Sequence, residues 1–140
     1  MGWRVEMTNR TFVDTAFVVA LVNQHDQHHA KALELSQKYE HKPTIITDVI
    51  MLEIGNALAQ SYKTEAIQII KAFRTSSEAM IVGLNSQLFE KAFTMYEKYF
   101  DKGWGMVDCI SFVVMRENNI VDALTSDEHF KQAGFNILMK

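Results

Sequence analysis

One cysteine, one proline and six glycines are spread over 140 residues, and each scarcity excludes something. With Cys109 alone, no intrachain disulfide can form, so the core must hold the fold and a reducing, cytoplasmic setting is expected. A lone proline, Pro43, and few glycines exclude collagen-like, proline-rich and flexible-linker compositions. Long apolar runs are missing too. Stretches such as Ile110 to Met115 are far shorter than the roughly 20 residues that cross a bilayer. Met1 to Arg10 has no continuous apolar core of signal-peptide length, so neither a membrane span nor a secretory leader is expected. There is also no excess of positive charge. Fourteen Lys and Arg stand against 17 Asp and Glu, for a net charge of −3, which excludes a protein that coats a duplex by charge. An enzyme that grips a few phosphates through bound cations is still allowed, because the metal supplies the charge locally.

The chain does contain enough apolar material for one core. At 48% hydrophobic residues over 140 positions, a single domain spanning residues 1–140 is expected, too short for two. Residues 10–13 form a short β-prone run ending at Asp14, and Ala16 to Val22 is dense enough in apolar residues for a buried helix. A helix over Gln27 to Tyr39 places Ala32, Leu35 and Tyr39 at helical spacing, and Pro43 ends it. Thr44 to Thr47 is again β-branched, followed by a helix from Val49 to about Tyr62 that Asp48 can cap. A further helix over Lys63 to Arg74 precedes a β-like run from Met80 to Leu84. Asn85 and Ser86 introduce a helix carrying Leu88, Phe89, Ala92, Phe93 and Tyr96. After the turn-like segment 101–105, a helix starts near Asp108 and runs to about Glu117. Asn118 and Asn119 signal a turn before a strand from Ile120 to Leu124, and Asn136 to Met139 suits a last edge strand. Short strands alternating with helices predict a three-layer α/β/α sandwich with a central parallel sheet of four or five strands.

In open parallel sheets the ligand site lies at the carboxyl ends of the strands. That rule sorts the acids. Asp14 follows the first strand and Asp127 the strand ending at Leu124, while Glu53 lies in the first turns of a helix after the second strand. Asp108 begins a helix after the loop with Gly103, Trp104 and Gly105, where the helix amino end favours an anion. Four carboxylates in one cleft repel one another unless protonated or neutralised by a cation. Oxygen ligands without a Cys or His pattern suit Mg²⁺ or Mn²⁺ rather than zinc, and the matching chemistry is phosphodiester hydrolysis. Against this stands the ordinary role of Asp at strand ends and helix starts, which is capping.

Four segments resemble the signatures of PIN-domain ribonucleases. Phe12-Val13-Asp14-Thr15-Ala16-Phe17 is similar to the opening strand, and Leu52-Glu53-Ile54-Gly55-Asn56-Ala57-Leu58 to the second signature. The stretch from Trp104 to Phe112, with Asp108, resembles the third, and Ala123-Leu124-Thr125-Ser126-Asp127-Glu128-His129-Phe130 the fourth. The order and spacing agree over nearly the whole chain, although each motif alone is weak. The resemblance implies an Mg²⁺- or Mn²⁺-dependent endoribonuclease, of the kind that serves as the VapC-type toxin of a toxin–antitoxin pair. It also implies that Asp14 and Asp108 are the leading metal ligands and that Glu53 and Asp127 complete the pocket. Thr15, Asn56 and Thr125 would orient carboxylates and waters around them. RNA as substrate, a cognate antitoxin and a homodimer are the implied partners. Val107 and Gly105 depart from the pattern, in which hydroxyl residues are frequent at these positions, so the geometry of that loop is in question.

Other residues have plainer readings. His25, His28 and His29 are clustered, with His25 and His29 at a spacing that can bind metal, but no third ligand accompanies them and a solvated face is favoured. His129 suits a surface position at a helix start better than substrate contact. Asp101 is a candidate fifth acid, with loop shaping by a side-chain to backbone bond preferred. Cys109 reads as a packing residue. Phe89, Phe93, Tyr96, Tyr99 and Phe100 read as core or subunit interface, and Lys63, Lys102, Arg116 and Lys131 as solvated. The main alternative is a PIN-like binding module without turnover. A receiver-like or flavodoxin-like protein ranks below it, because no strand-end lysine accompanies the acids.

Overall fold

The computed structural model describes residues 9–140. The expectation about the leader therefore falls, for residues 1–8, outside the described residues. Five strands form one parallel sheet in the order β3-β2-β1-β4-β5. They are β1 (Thr11–Val13), β2 (Thr44–Thr47), β3 (Ala79–Val82), β4 (Asp122–Leu124) and β5 (Asn136–Ile137). Thr11 pairs with Thr44 and Phe12 with Ile45 on one side of β1, and Phe12 with Ala123 and Val13 with Leu124 on the other. The central strand is buried throughout, with Phe12 and Val13 apolar, as suits a strand covered on both faces.

The helices are α1 (Thr15–Val22), α2 (His29–Lys38), α3 (Asp48–Ala57), α4 (Lys63–Thr75), α5 (Ser86–Lys98), α6 (Met106–Glu117) and α7 (Glu128–Gln132). The connections from β1 to β2 to β3 step outward in one direction and carry α1 to α4, which pack on one another as α1 on α2 and α3, and α3 on α4. From β3 the chain crosses back over β2 and β1 to β4. The helices of this return, α5 and α6, pack together, and α6 meets α7. Reversing the direction of travel while keeping the crossover hand puts this second group on the opposite face. The expected α/β/α sandwich is therefore observed, with Phe12, Ile45, Ile46, Ile50, Ile54 and Phe112 fully buried between the layers.

Among the boundaries that differ from the sequence reading, three bear on the placement of the site. The helix after β2 stops at Ala57, and the chain turns so that Tyr62, whose hydroxyl donates to Asn23 Oδ1 at 3.3 Å, can start α4. α6 begins at Met106, two residues before Asp108. β4 begins at Asp122 because Ile120 is used to close α6: its N–H donates to Met115 O, with Asn119 in the left-handed region at φ 55°. Gly134, at φ 97°, closes α7 in the same way, with Phe135 N–H donating to Phe130 O.

Candidate active site

The strand order reverses between β1 and β4, and a crevice at the carboxyl ends of two such strands is where a parallel sheet binds its ligand. β1 delivers Asp14 to this point and β4 delivers Thr125. The Thr125 hydroxyl donates to Asp14 Oδ2 at 2.7 Å and accepts the Asp127 backbone N–H at 3.0 Å. Thr125 is fully buried, so one hydroxyl locks the two strand ends together. Asp127 caps α7, its Oδ1 accepting the His129 N–H at 2.9 Å.

From the neighbouring connection, Thr15 at the start of α1 donates its hydroxyl to Glu53 Oε1 at 2.8 Å. Glu53 stands on α3, whose amino end is fixed by buried Thr47 accepting the Ile50 N–H at 3.0 Å. Asn56, one turn further on, is exposed, and its side chain bonds none of the four acids among the described residues. Asp48, in the first turn of α3, is engaged elsewhere, with both carboxylate oxygens accepting the Leu84 N–H.

The third contribution comes from the opposite helical layer. Trp104 is buried against Tyr99 and Phe112, and its indole N–H donates to Gln132 Oε1 at 2.9 Å, pinning the loop before α6 to α7. Behind it, Phe112 makes edge-on contact with Phe130, a geometry that aromatic quadrupoles favour. Held this way, α6 presents Asp108 in its first turn, where Oδ2 accepts the Gly105 N–H at 3.0 Å. Asp108 Oδ2 also lies 2.9 Å from His129 Nδ1, and Asp127 Oδ1 lies 3.6 Å from the same nitrogen. Cys109, next along α6, is buried, and burial together with the Asp108 charge pushes its thiol above the usual range.

Each acid is thus anchored through one oxygen by a hydroxyl, a backbone amide or an imidazole. The second oxygens of Glu53, Asp108 and Asp127 accept no hydrogen bond from the described residues. The electrostatic consequence appears at Asp14. Its carboxyl is raised from 3.8 to about 7, chiefly by burial and further by the charges of Asp127 and Glu53, against the lowering pull of the Thr125 hydroxyl and the Thr15 amide. A site that charges itself at such a cost is suited to a bound cation. Asp108, Asp127 and His129 each offer a donor atom within 4.8 Å of the others, so the donor set fits a divalent ion.

Among the described residues, no second group of this kind exists. His29 donates Nδ1 to Ala20 O at 2.7 Å and serves to tie α2 to α1, while His25 is exposed. Asp101 is exposed beside Lys102, with Nζ at 4.0 Å, and makes no bond to the loop backbone. His129 is the residue that sequence reasoning undervalued. It is half-buried between two of the acids, although its position two residues after Asp127 in a helix's first turn is a visible signal.

A model of the family described as PIN domain matches residues 11–136. The chain belongs to the PIN-domain family. It is 29% identical over 126 residues to the protein named 23S rRNA-specific endonuclease VapC20, from two Mycobacterium tuberculosis strains, CDC 1551 / Oshkosh and ATCC 25618 / H37Rv. The match covers 89% of this chain and 94% of that protein. The crystal structure of Mycobacterium tuberculosis VapC20, described as a Sarcin-Ricin loop cleaving toxin, superposes with a TM-score of 0.79 at 26% identity, covering 90% of this chain and 96% of the other. In this PIN domain, no helix of the described residues is long and apolar enough to cross a membrane.

Proposed function

We propose that this PIN domain is a divalent-metal-dependent endoribonuclease and the toxin of a toxin–antitoxin pair. The observation that supports this most lies where the sheet reverses direction: Thr125 ties Asp14 to the Asp127 backbone, the charges of Asp127 and Glu53 act on Asp14, and His129 links Asp108 to Asp127. In this reading Asp14, Asp108, Asp127 and Glu53 hold Mg²⁺ or Mn²⁺. Thr125 orients Asp14, and Thr15 orients Glu53. Asn56 faces solvent and would act on substrate or water rather than on the acids.

When bound, the cation supplies a water of lowered pKa and charge stabilisation for the leaving oxygen. A free carboxylate oxygen such as that of Glu53 accepts the attacking water's proton. The new P–O bond forms as the bond to the leaving oxygen breaks, and that oxygen takes up a proton from solvent. The threonine anchors hold the carboxylates so that little reorganisation accompanies the charge shift.

The named relative is a 23S rRNA-specific endonuclease, which makes a structured ribosomal RNA element the first substrate to try. A co-encoded antitoxin protein, RNA and a second copy of this chain are the proposed partners, in the cytoplasm. Incubation of ribosomes and of free RNA with Mg²⁺ or Mn²⁺ should produce discrete cuts. Asp14→Asn and Asp108→Asn should each slow cleavage by about two orders of magnitude or more. Cleavage that persists in both variants would overturn the mechanism, and RNA binding without product would favour a silent binding module.

A further inference from the structure

We propose that the His129 imidazole is itself a ligand of the divalent cation, making the site a mixed nitrogen and oxygen centre that prefers Mn²⁺ over Mg²⁺. This rests on the metal-dependent reading and goes beyond it, since the four acids alone form an oxygen-only pocket. Nδ1 of His129 points between two carboxylates, 2.9 Å from Asp108 Oδ2 and 3.6 Å from Asp127 Oδ1. Adjacent ligands of a six-coordinate ion with bonds of about 2.1 Å stand about 3 Å apart, so the two closest donors already have the separation of neighbouring ligands. All three residues are half-buried and offer donors within 4.8 Å of one another.

The backbone holds the ring in this place. His129 is the second residue of α7, its N–H is bound by Asp127 Oδ1, and Phe130 beside it is buried against Phe12 and Phe112. On its far side the ring meets the loop before α6. A Cβ built at Gly103 would lie 3.7 Å from Nε2, so this nitrogen faces the loop and Nδ1 is the one presented to the cleft. In the ion-free protein, the ring N–H donates to Asp108, and a bound cation would take the place of that proton. Imidazole nitrogen is a poor donor for Mg²⁺, which favours oxygen, whereas affinity for nitrogen ligands rises along the first-row divalent metals from Mn²⁺ onward.

The test uses the full chain loaded with Mn²⁺ and read by pulsed electron paramagnetic resonance, alongside calorimetric titration with Mn²⁺ and with Mg²⁺. A directly bound imidazole gives a nitrogen modulation, which should change when the protein is labelled with ¹⁵N-histidine and vanish in His129→Gln. That variant should weaken Mn²⁺ binding about tenfold or more and Mg²⁺ binding much less. Thermal melting of His129→Gln and of His129→Asn checks that the fold is kept, and labelled wild type needs no substitution at all. Mn²⁺ bound without nitrogen modulation, or equal weakening of both metals, would overturn the ligand role and leave His129 as a support for Asp108. Absence of any Mn²⁺ binding to wild type would overturn the metal-dependent reading together with this inference.

Discussion

At the scale of single residues, Asp14 is where pH acts most directly. Its carboxyl is held at about 7 in the folded protein against an ordinary 3.8, so between these values the folded state keeps a proton that the unfolded state has released. Stability from this group is complete below about pH 4 and is lost as pH rises through about 7. Metal-free protein should therefore melt at falling temperature across that window, by a few kcal/mol at most, and Asp14→Asn should flatten the trend in melts recorded at several pH values. Cation binding must displace the same proton, so Mn²⁺ affinity should climb with pH up to about 7 and then level off. Thr125 gives a second prediction. Its buried hydroxyl serves Asp14 and the Asp127 N–H together, so Thr125→Val should cost about 1–3 kcal/mol by urea unfolding and Thr125→Ser should recover most of it. Asp14 is legible in the sequence because it follows a β-prone run, whereas Thr125 is singled out only by the resemblance to the PIN signatures. The proton on Asp14 is not legible there, because it depends on how much water the neighbouring helices exclude.

Elements carry the acids, and their end points decide where each acid lies. α3 holds Glu53 on a helix started by Thr47, whose side chain accepts the Ile50 N–H, whereas α5 is started by Asn85, which accepts the Leu88 N–H at 2.8 Å. Thr47→Val and Asn85→Ala should each lose about 1 kcal/mol in denaturant titrations, yet only the first should reduce cleavage, since α5 carries none of the four acids. A parallel loss of activity in both would show that α5 shapes the site. The start of α6 lies two residues before the position its acid suggests. The sequence suggests that the helix starts near Asp108, but Asp108 is the third helical residue, and Gly105 precedes the helix with its N–H given to the Asp108 carboxylate. That arrangement bears on the missing hydroxyls at Gly105 and Val107. A glycine has no side chain with which to start the helix, so a reciprocal bond from the acid itself supports the turn.

For the whole molecule, an unpartnered ridge remains on α5 and beyond it. Phe89, Phe93 and Tyr96 stack in sequence with centroids 6.4 Å apart, and Phe100 is 87% exposed. Their helical spacing suits core or interface, and in the structure they lie outside the core. If the second copy of the proposed homodimer covers them, Phe93→Glu should yield a monomer by light scattering with cleavage chemistry intact in single-turnover assays. By itself the sequence determined the alternation of strand and helix, the parallel sheet, and the four acids at strand ends or in first helical turns. Those follow from local periodicity, capping and the rule that parallel sheets bind at their carboxyl edge. Only the tertiary structure decided the strand order that sets β4 beside β1, and so the bond from Thr125 to Asp14 across 111 positions of chain. It also decided that His129, whose place in the sequence shows only that it is near Asp127 at a helix start, stands between Asp108 and Asp127. Its neighbours are chosen by the packing of Trp104, Phe112 and Phe130 between α6 and α7, and long-range packing of that kind leaves no periodicity in the chain from which it could be read.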